Sequence, residues 1–205
     1  MTSTPTTRPV VDLWFDPACP WAWMTSRWMD EVSATRDVEV RWHVMSLSVL
    51  NEKRELPDSY RELMDDSWAA VRVIVAAARD HGDAVVKPLY DAMGTRRHPG
   101  GRRDTAAIIA ESLAEVGLPA ELAEVGGTEE VDALLRESHG EAITLVGDDV
   151  GTPVVAIDGV GFFGPVVTPA PTGDAAGRLF DGLVLVTSVP GFYELKRSRT
   201  AGPSF

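Results

Sequence analysis

The sequence predicts an α/β protein with a thioredoxin-like fold that is interrupted by an inserted all-α domain. Strand patterns occur only toward the two ends of the chain, whereas residues 58–147 show helix signals and no convincing strand. The first end contains a strand, a helix and a strand, and the second contains two strands and a helix. Because a thioredoxin fold has these two halves, we expect a core made of residues 1–57 and 148–205, with residues 58–147 inserted between them.

The predicted βαβ unit of the first half places Cys19 at the start of a helix. Residues 10–15, VVDLWF, form a short apolar run bounded by prolines, which is typical of a buried strand. From Pro20 onward large apolar residues recur at helical spacing, and proline suits a first helical turn. Apolar and polar residues then alternate over residues 38–47, which predicts a half-buried strand. Cys19 is therefore the expected N-cap of the first helix.

The middle segment is predicted to be helical. Apolar residues recur at helical spacing between Met64 and Val75, and two later amphipathic stretches are expected to start at the N-caps Asp104 and Thr128. Residues 94–103, GTRRHPGGRR, form a basic and Gly-rich island between helices. We favour a solvated connector for this island, with binding of an anionic cofactor as the alternative.

The second half begins with a hairpin signal. Residues 154–157 and 160–163 are two apolar runs joined by Asp158 and Gly159, a dipeptide that strongly favours a two-residue hairpin turn. Residues 174–186 are the expected last helix, with Asp174 as its cap. Strand, strand and helix complete the predicted thioredoxin-like core.

Composition limits the partners and the location of the chain. Lys and Arg total 19 against 31 Asp and Glu in 205 residues, and the net charge of −12 repels nucleic acid and anionic membranes. No apolar run approaches the roughly 18 residues of a membrane span, and the polar start MTSTPTTRPV lacks the apolar part of a signal peptide. A single cysteine suits a reducing compartment, so we expect a cytoplasmic protein. The scattered histidines indicate no metal site.

Cys19 is the candidate nucleophile. A thiol reacts as thiolate, and the N–H groups and dipole at a helix start lower a cysteine pKa, so we expect that of Cys19 to be depressed. A small buried hydrophobic residue is the alternative role of a lone cysteine. Thr152 and Pro153 open the hairpin at the place where a thioredoxin fold carries a cis proline beside its cysteine. A cis Thr152–Pro153 bond would expose the Thr152 backbone to an incoming thiol compound.

Five stretches together carry a resemblance to a known family. FDPACPWAW, HVMSLSVLNE, DVGTPVV, FFGPV and FYELKR resemble, in matching order, the DsbA-like mycothiol-dependent nitroreductases of actinobacteria. The resemblance implies a thioredoxin fold with an inserted helical domain, mycothiol as reducing cosubstrate, and disulfide or nitroaromatic substrates. It also implies that Cys19 attacks and that Pro153 is cis. The positions implied to line the thiol and substrate pocket are Pro20, Trp21, Asn51, Tyr60 and Thr152.

Ala22 departs from the family motif CPWC and decides the expected mechanism. Without a second thiol at position 22, Cys19 accepts one sulfur in a mixed disulfide but has no internal group to expel it. A second small thiol, mycothiol, must then release the product, as in a monothiol cycle. A chain that kept the pocket and dropped redox chemistry, or one whose second cysteine has been removed on purpose, stays open.

Two other functions remain as alternatives. A transferase or isomerase of the kappa-class glutathione transferase type would bind and ionise a cosubstrate thiol without reacting covalently. A non-catalytic binding or resistance protein would hold an aromatic compound between Trp21 and the helical insertion. In each case we expect small-molecule partners and no tightly bound cofactor, and a homodimer stays open as the assembly.

Overall fold

The computed structural model describes residues 8–205 as a four-stranded sheet surrounded by helices. The strands are β1 Val10–Phe15, β2 Glu39–Val44, β3 Val154–Ile157 and β4 Val160–Phe163. The helices are α1 Pro20–Thr35, α2 Leu47–Asn51, α3 Asp58–His81, α4 Val86–Arg97, α5 Thr105–Glu115, α6 Leu122–Val125, α7 Asp132–Val146 and α8 Gly173–Thr187, with a 3-10 turn at Asp83–Val85. None of the helices in residues 8–205 has the length and apolar character needed to cross a membrane.

The strand order of the sheet is β2-β1-β3-β4. β1 runs parallel to β2, and β3 runs antiparallel to both β1 and β4. Trp14 near the end of β1 lies opposite Val154 at the start of β3. Antiparallel pairing therefore brings the loop after β1, which carries Cys19, beside the residues that precede β3. This is the predicted thioredoxin-like arrangement.

The first and last helices pack together on the sheet. Trp28 of α1 is fully buried, and its indole Nε1 donates to the carbonyl of Ala176 in α8 at 3.1 Å. On the helical side, Tyr90 of α4 stacks on Phe15 of β1 with ring centroids 3.8 Å apart. The helices of residues 58–147 thus share a hydrophobic core with the sheet, and the division into separate domains stays a prediction.

Local sequence signals succeed at the hairpin and fail at two helix starts. Asp158 and Gly159 have φ values of 49° and 86°, as the predicted turn requires. Asp104 caps α5 through Ala107 N, as expected. Thr128 does not cap a helix, because its hydroxyl accepts from Glu130 N in a local turn and α7 starts only at Asp132. Asp174 was also wrongly predicted as a cap: it lies inside α8, whose N-cap is Thr172, and pairs with Arg178.

Candidate active site

Cys19 is the N-cap of α1. Its Sγ accepts the N–H of Ala22 at 3.5 Å, and its own N–H donates to the carbonyl of Asp16 at 3.0 Å. Pro20, which has no N–H, occupies the first helical position. The helix start therefore directs a backbone N–H at the sulfur, as the sequence predicted.

The residues just before β3 contact the Cys19 thiol from the side opposite to α1. The Thr152–Pro153 peptide bond is cis. The Cys19 thiol donates to the carbonyl oxygen of Thr152 at 3.3 Å, and the Thr152 hydroxyl donates to the carbonyl of Trp14 at 3.1 Å. Cys19 and Thr152 are thus joined directly across the sheet end.

The expectation of a depressed pKa at Cys19 is wrong for this closed structure. Only 6% of Cys19 is exposed, and burial raises the pKa of its thiol to about 12. The N–H groups of Ala22 and Trp21 lower it, whereas the Asp16 carboxylate raises it further. The N–H groups of one helix start do not compensate for the loss of hydration around a buried thiolate.

Asp16 is a site residue that the sequence reasoning missed. It is fully buried, and its two carboxylate oxygens accept the N–H groups of Ala18 and Leu47, each at 2.7 Å. Burial raises the pKa of Asp16 to about 6, and the two N–H groups and Arg97 oppose the rise. Nothing in the sequence around Asp16, which follows a buried strand and precedes a proline, indicates this role. Its carboxylate in fact ties the Cys19 loop to the start of α2.

The basic island contains two more residues that sequence reasoning missed. His98 Nε2 lies 3.0 Å from the carbonyl of Pro17, and the imidazole stacks on Trp23 with centroids 5.6 Å apart. Burial lowers the pKa of His98 to about 4, so at neutral pH the ring is uncharged and its Nε2–H donates to Pro17. Because Arg97 and His98 are both buried, the favoured interpretation of the island as a solvated connector is wrong for these two positions.

Close packing of the Trp23 ring on α4 holds this side of the site together. A Cβ atom added at Gly94 would come within 2.2 Å of the Trp23 ring, so only glycine fits. The Trp23 ring therefore packs directly against α4 at Gly94 and stacks on the His98 imidazole. Other members of the island behave as expected of a connector, since Arg96 and Arg102 pair with Glu111 at the surface.

Three of the pocket positions implied by the resemblance, Trp21, Asn51 and Tyr60, lie in different surroundings. Trp21 is partly buried, and the guanidinium carbon of Arg199 lies 5.0 Å above its ring. Tyr60 is 36% exposed; burial raises its pKa, and the charges of Cys19 and Asp16 add to the rise, which indicates proximity to the thiol. Asn51 is buried and donates to the carbonyl of Leu47 at 2.8 Å. Within residues 8–205, Asn51 has no hydrogen bond to Cys19.

The segment after α8 passes the site without regular secondary structure, and no sequence signal indicates this course. Arg199 covers Trp21, and the Phe205 ring lies 5.4 Å from that of His98. Thr168 anchors the segment, donating to Gly202 O at 3.1 Å and accepting from Ser204 N at 3.0 Å. Residues 199–205 therefore border the same loop as the helical side.

Comparison with known proteins gives one matching family and several related chains. The family model described as "Rv2466c-like: Mycothiol-dependent nitroreductase Rv2466c" matches residues 18–197. An uncharacterized protein, Rv2286c of Mycobacterium tuberculosis, is 29% identical over 194 residues, covering 93% of this chain and 82% of the relative.

Solved structures share the fold at lower identity. The probable DsbA oxidoreductase SCO1869 from Streptomyces coelicolor is 19% identical, with a TM-score of 0.60 over 94% of this chain and 95% of that one. The cytosolic disulfide reductase DsbM from Pseudomonas aeruginosa is 18% identical, with a TM-score of 0.52 over 86% of this chain and 99% of that one. These likenesses bear on the fold alone.

Proposed function

Since the chain belongs to the Rv2466c-like family of mycothiol-dependent nitroreductases, we propose that it is a thiol-dependent oxidoreductase in which Cys19 is the nucleophile. The matched residues include the CPWA segment and Pro153. One observation carries the proposal: the Cys19 sulfur lies between an N–H group of α1 and the carbonyl of Thr152, next to a cis proline. Once the site opens, the Thr152 backbone would hold a thiol compound in line with the sulfur.

The proposed cycle has two thiol–disulfide exchanges. The Cys19 thiolate attacks one sulfur of a disulfide, the S–S bond breaks, and the other half leaves as a thiolate. A mycothiol thiolate then attacks the mixed disulfide, releases Cys19 and carries away the bound sulfur compound. Ala22 supplies no competing thiol, so this second step is intermolecular. For a nitroaromatic substrate, two mycothiol molecules would supply two electrons and two protons as they form one disulfide.

The burial of Cys19 means that the site must open before it reacts. At 6% exposure the thiol is out of reach of a bulky cosubstrate, and its raised pKa leaves little thiolate at neutral pH. Trp21 and Tyr60 lie on the two parts of the fold that meet at the thiol, which makes them the proposed pocket walls. Movement between these parts would hydrate Cys19 and lower its pKa in the same step.

Mass spectrometry tests the proposed nucleophile. The protein is incubated with mycothiol disulfide and digested without reductant. We expect one mixed disulfide, on the peptide that contains Cys19, and release of the adduct by added mycothiol. The Cys19→Ser variant should form no adduct and should lose disulfide and nitroaromatic turnover. Absence of an adduct on the unmodified protein would contradict the proposal.

The raised pKa of Cys19 favours one second candidate, a thiol transferase or isomerase of the kappa-class type. A neutral thiol that donates to Thr152 O resembles a group that orients a substrate rather than one that attacks it. In that case turnover would survive Cys19→Ser while no mixed disulfide forms. The same two measurements therefore separate the candidates.

A cytoplasmic location is part of the proposal. A monothiol nucleophile depends on a reducing pool that keeps its sulfur free, and the cytoplasm supplies one. Fractionation of cells that produce the untagged protein tests this, because recovery with secreted or envelope proteins would contradict it.

A further inference from the structure

The positive charges of this acidic chain divide into two groups. Of the 19 Lys and Arg, all within the described residues 8–205, twelve form an ion pair with a carboxylate. The cations without such a pair are Lys53, Arg54, Arg61, Arg103, Lys196, Arg197 and Arg199. They occur only in three segments, residues 53–61, the end of the basic island, and residues 196–199.

Each of the three segments borders the Cys19 loop. Arg199 lies over Trp21, two residues after Cys19. The charge of Arg103 lowers the pKa of His98, whose imidazole is hydrogen-bonded to Pro17, two residues before Cys19. Arg54 lowers the pKa of Tyr60, and the ionised form of Cys19 would raise it, so both lie near that phenol. One unpaired cation from each segment, namely Arg199, Arg103 and Arg54, therefore lies near a residue that flanks the thiol.

A buried cation adds to this positive region. Arg97 is 7% exposed, its Nε has no hydrogen-bond partner among the described residues, and its Nη1 donates to the Thr105 hydroxyl at 3.2 Å. The nearest Asp66 oxygen is 3.9 Å away, at the edge of an ion pair. Arg97 also lowers the pKa of Asp16. Its charge is thus only partly neutralised beneath the loop.

Nearby carboxylates restrict the positive potential of these cations to a few positions. Glu55, Asp58 and Glu194 lie in or beside the same segments, and the whole chain carries a charge of −12. At a distance the protein repels an anion, but within the roughly 10 Å Debye length of 0.1 M salt the closest charges dominate. Arg199 and Arg103 are both exposed, and Arg199 lies 5.0 Å over the Trp21 ring, two residues after Cys19.

We propose that the Cys19 site selects anionic aromatic disulfides, with the carboxylate of the substrate held by Arg199, the cation over Trp21, and by Arg103. This inference rests on the proposed function, since it assumes that Cys19 attacks a disulfide. The Cys19 thiolate bonds to one sulfur, the S–S bond breaks, and an aromatic thiolate leaves with the electron pair. Arg199 and Arg103 stabilise both the incoming carboxylate and the departing thiolate.

Two nitroaromatic disulfides, one anionic and one neutral, test the inference. Dithiobis(nitrobenzoate) carries carboxylates and dithiobis(nitropyridine) is neutral, and both release a coloured thiolate when Cys19 reacts. We expect the rate with the anionic compound to fall as salt is raised from about 20 mM to about 300 mM, because local attraction is screened. The neutral compound should show little salt dependence.

Charge-removing variants locate the effect. Arg199→Gln and Arg103→Gln should each lower the ratio of anionic to neutral rate about 2- to 5-fold, the range of exposed charge pairs. Arg199→Lys should restore much of the ratio. The matched control is Arg178→Gln, which removes the same charge from α8, where Arg178 pairs with Asp174, and should leave the ratio unchanged.

The outcomes distinguish this inference from the function on which it rests. A rate with the anionic compound that rises with salt, or a ratio equal in all variants, overturns the anionic selectivity while Cys19 remains the nucleophile. Failure of both disulfides to modify Cys19 overturns the proposed function and the inference together. If the ratio of anionic to neutral rate falls in Arg178→Gln as much as in Arg199→Gln, net charge alone causes the selectivity. That result overturns the proposed binding of the carboxylate at Arg199 and Arg103.

Discussion

The Cys19 thiol donates a hydrogen bond to the carbonyl oxygen of Thr152 at 3.3 Å, although the two residues are 133 positions apart in the chain. The contact exists because β1 and β3 pair antiparallel, so the end of one strand meets the start of the other. The same oxygen is the group that would pair with an incoming thiol compound. Substrate binding at Thr152 therefore competes with the bond that holds Cys19 as a neutral thiol.

The first prediction concerns the ionisation of Cys19 without ligand. Because burial raises the pKa of its thiol to about 12, the free protein should show no thiolate absorbance step across neutral pH. Ultraviolet absorbance followed against pH, with Cys19→Ser as the blank, measures this. A step below the ordinary cysteine value of about 8.5 would mean that the closed structure is not the resting state.

Ala22→Cys should convert the monothiol site into a dithiol one. Position 22 is fully buried one helical turn from Cys19, and its N–H already contacts the Cys19 sulfur at 3.5 Å. Under mild oxidant we expect an intramolecular disulfide, and at limiting mycothiol a gain in turnover, because internal attack replaces the intermolecular step.

Ala22→Ser is the control for that variant, since it adds a side chain of similar size without a thiol. It should behave as the unmodified protein does and stop as a mixed disulfide when mycothiol is limiting. Two free thiols in oxidised Ala22→Cys, counted by alkylation and mass spectrometry, would contradict the prediction.

Asp16→Asn should change how stability depends on pH. Burial raises the pKa of Asp16 to about 6 from 3.8, so the folded chain holds this proton more tightly than the unfolded chain. Stability from this group is present below about pH 4 and falls as pH rises to about 6, by roughly 3 kcal/mol in all. The unfolding free energy of Asp16→Asn should lack this dependence on pH. It should also be lower by about 1 kcal/mol at every pH, because one hydrogen bond is lost.

Denaturant unfolding of both proteins between about pH 4 and pH 7 measures that difference. Asp37→Asn is the matched control, because Asp37 is exposed and pairs with Arg8 at the surface. The Asp16→Asn variant should also alkylate faster at Cys19, since the Asp16 carboxylate raises the thiol pKa. Parallel stability curves for Asp16→Asn and the unmodified protein would count against an ionising Asp16.

Opening of the site should be visible in amide hydrogen exchange. The first turn of α3 has no side-chain cap at Pro57 and carries Tyr60, so its N–H groups are expected to open more readily than those of a capped turn. Exchange with and without mycothiol should show protection concentrated at residues 50–64. Identical exchange at these residues in both states would argue against an opening that involves α3.

Local sequence patterns were sufficient to predict those strands, helices and turns that depend mainly on their own residues. Alternation and helical spacing predicted β1, α1 and β2 and the N-cap position of Cys19, and Asp158–Gly159 predicted the hairpin turn. They failed where a nearby alternative bond existed, as at Thr128, whose hydroxyl is used by a turn before the helix. Propensity does not say which of two local partners a hydroxyl takes.

The sequence by itself determined the order of elements and the place of the only cysteine at a helix start, because periodicity and capping are properties of neighbouring residues. Only the tertiary structure decided the ionisation of that cysteine and its surroundings. The buried Asp16, the His98 imidazole that arrives from 81 positions beyond Pro17, and Arg199 over Trp21 are brought together by chain packing. Desolvation and charge act through space and sum over atoms from distant segments, so no local pattern contains them.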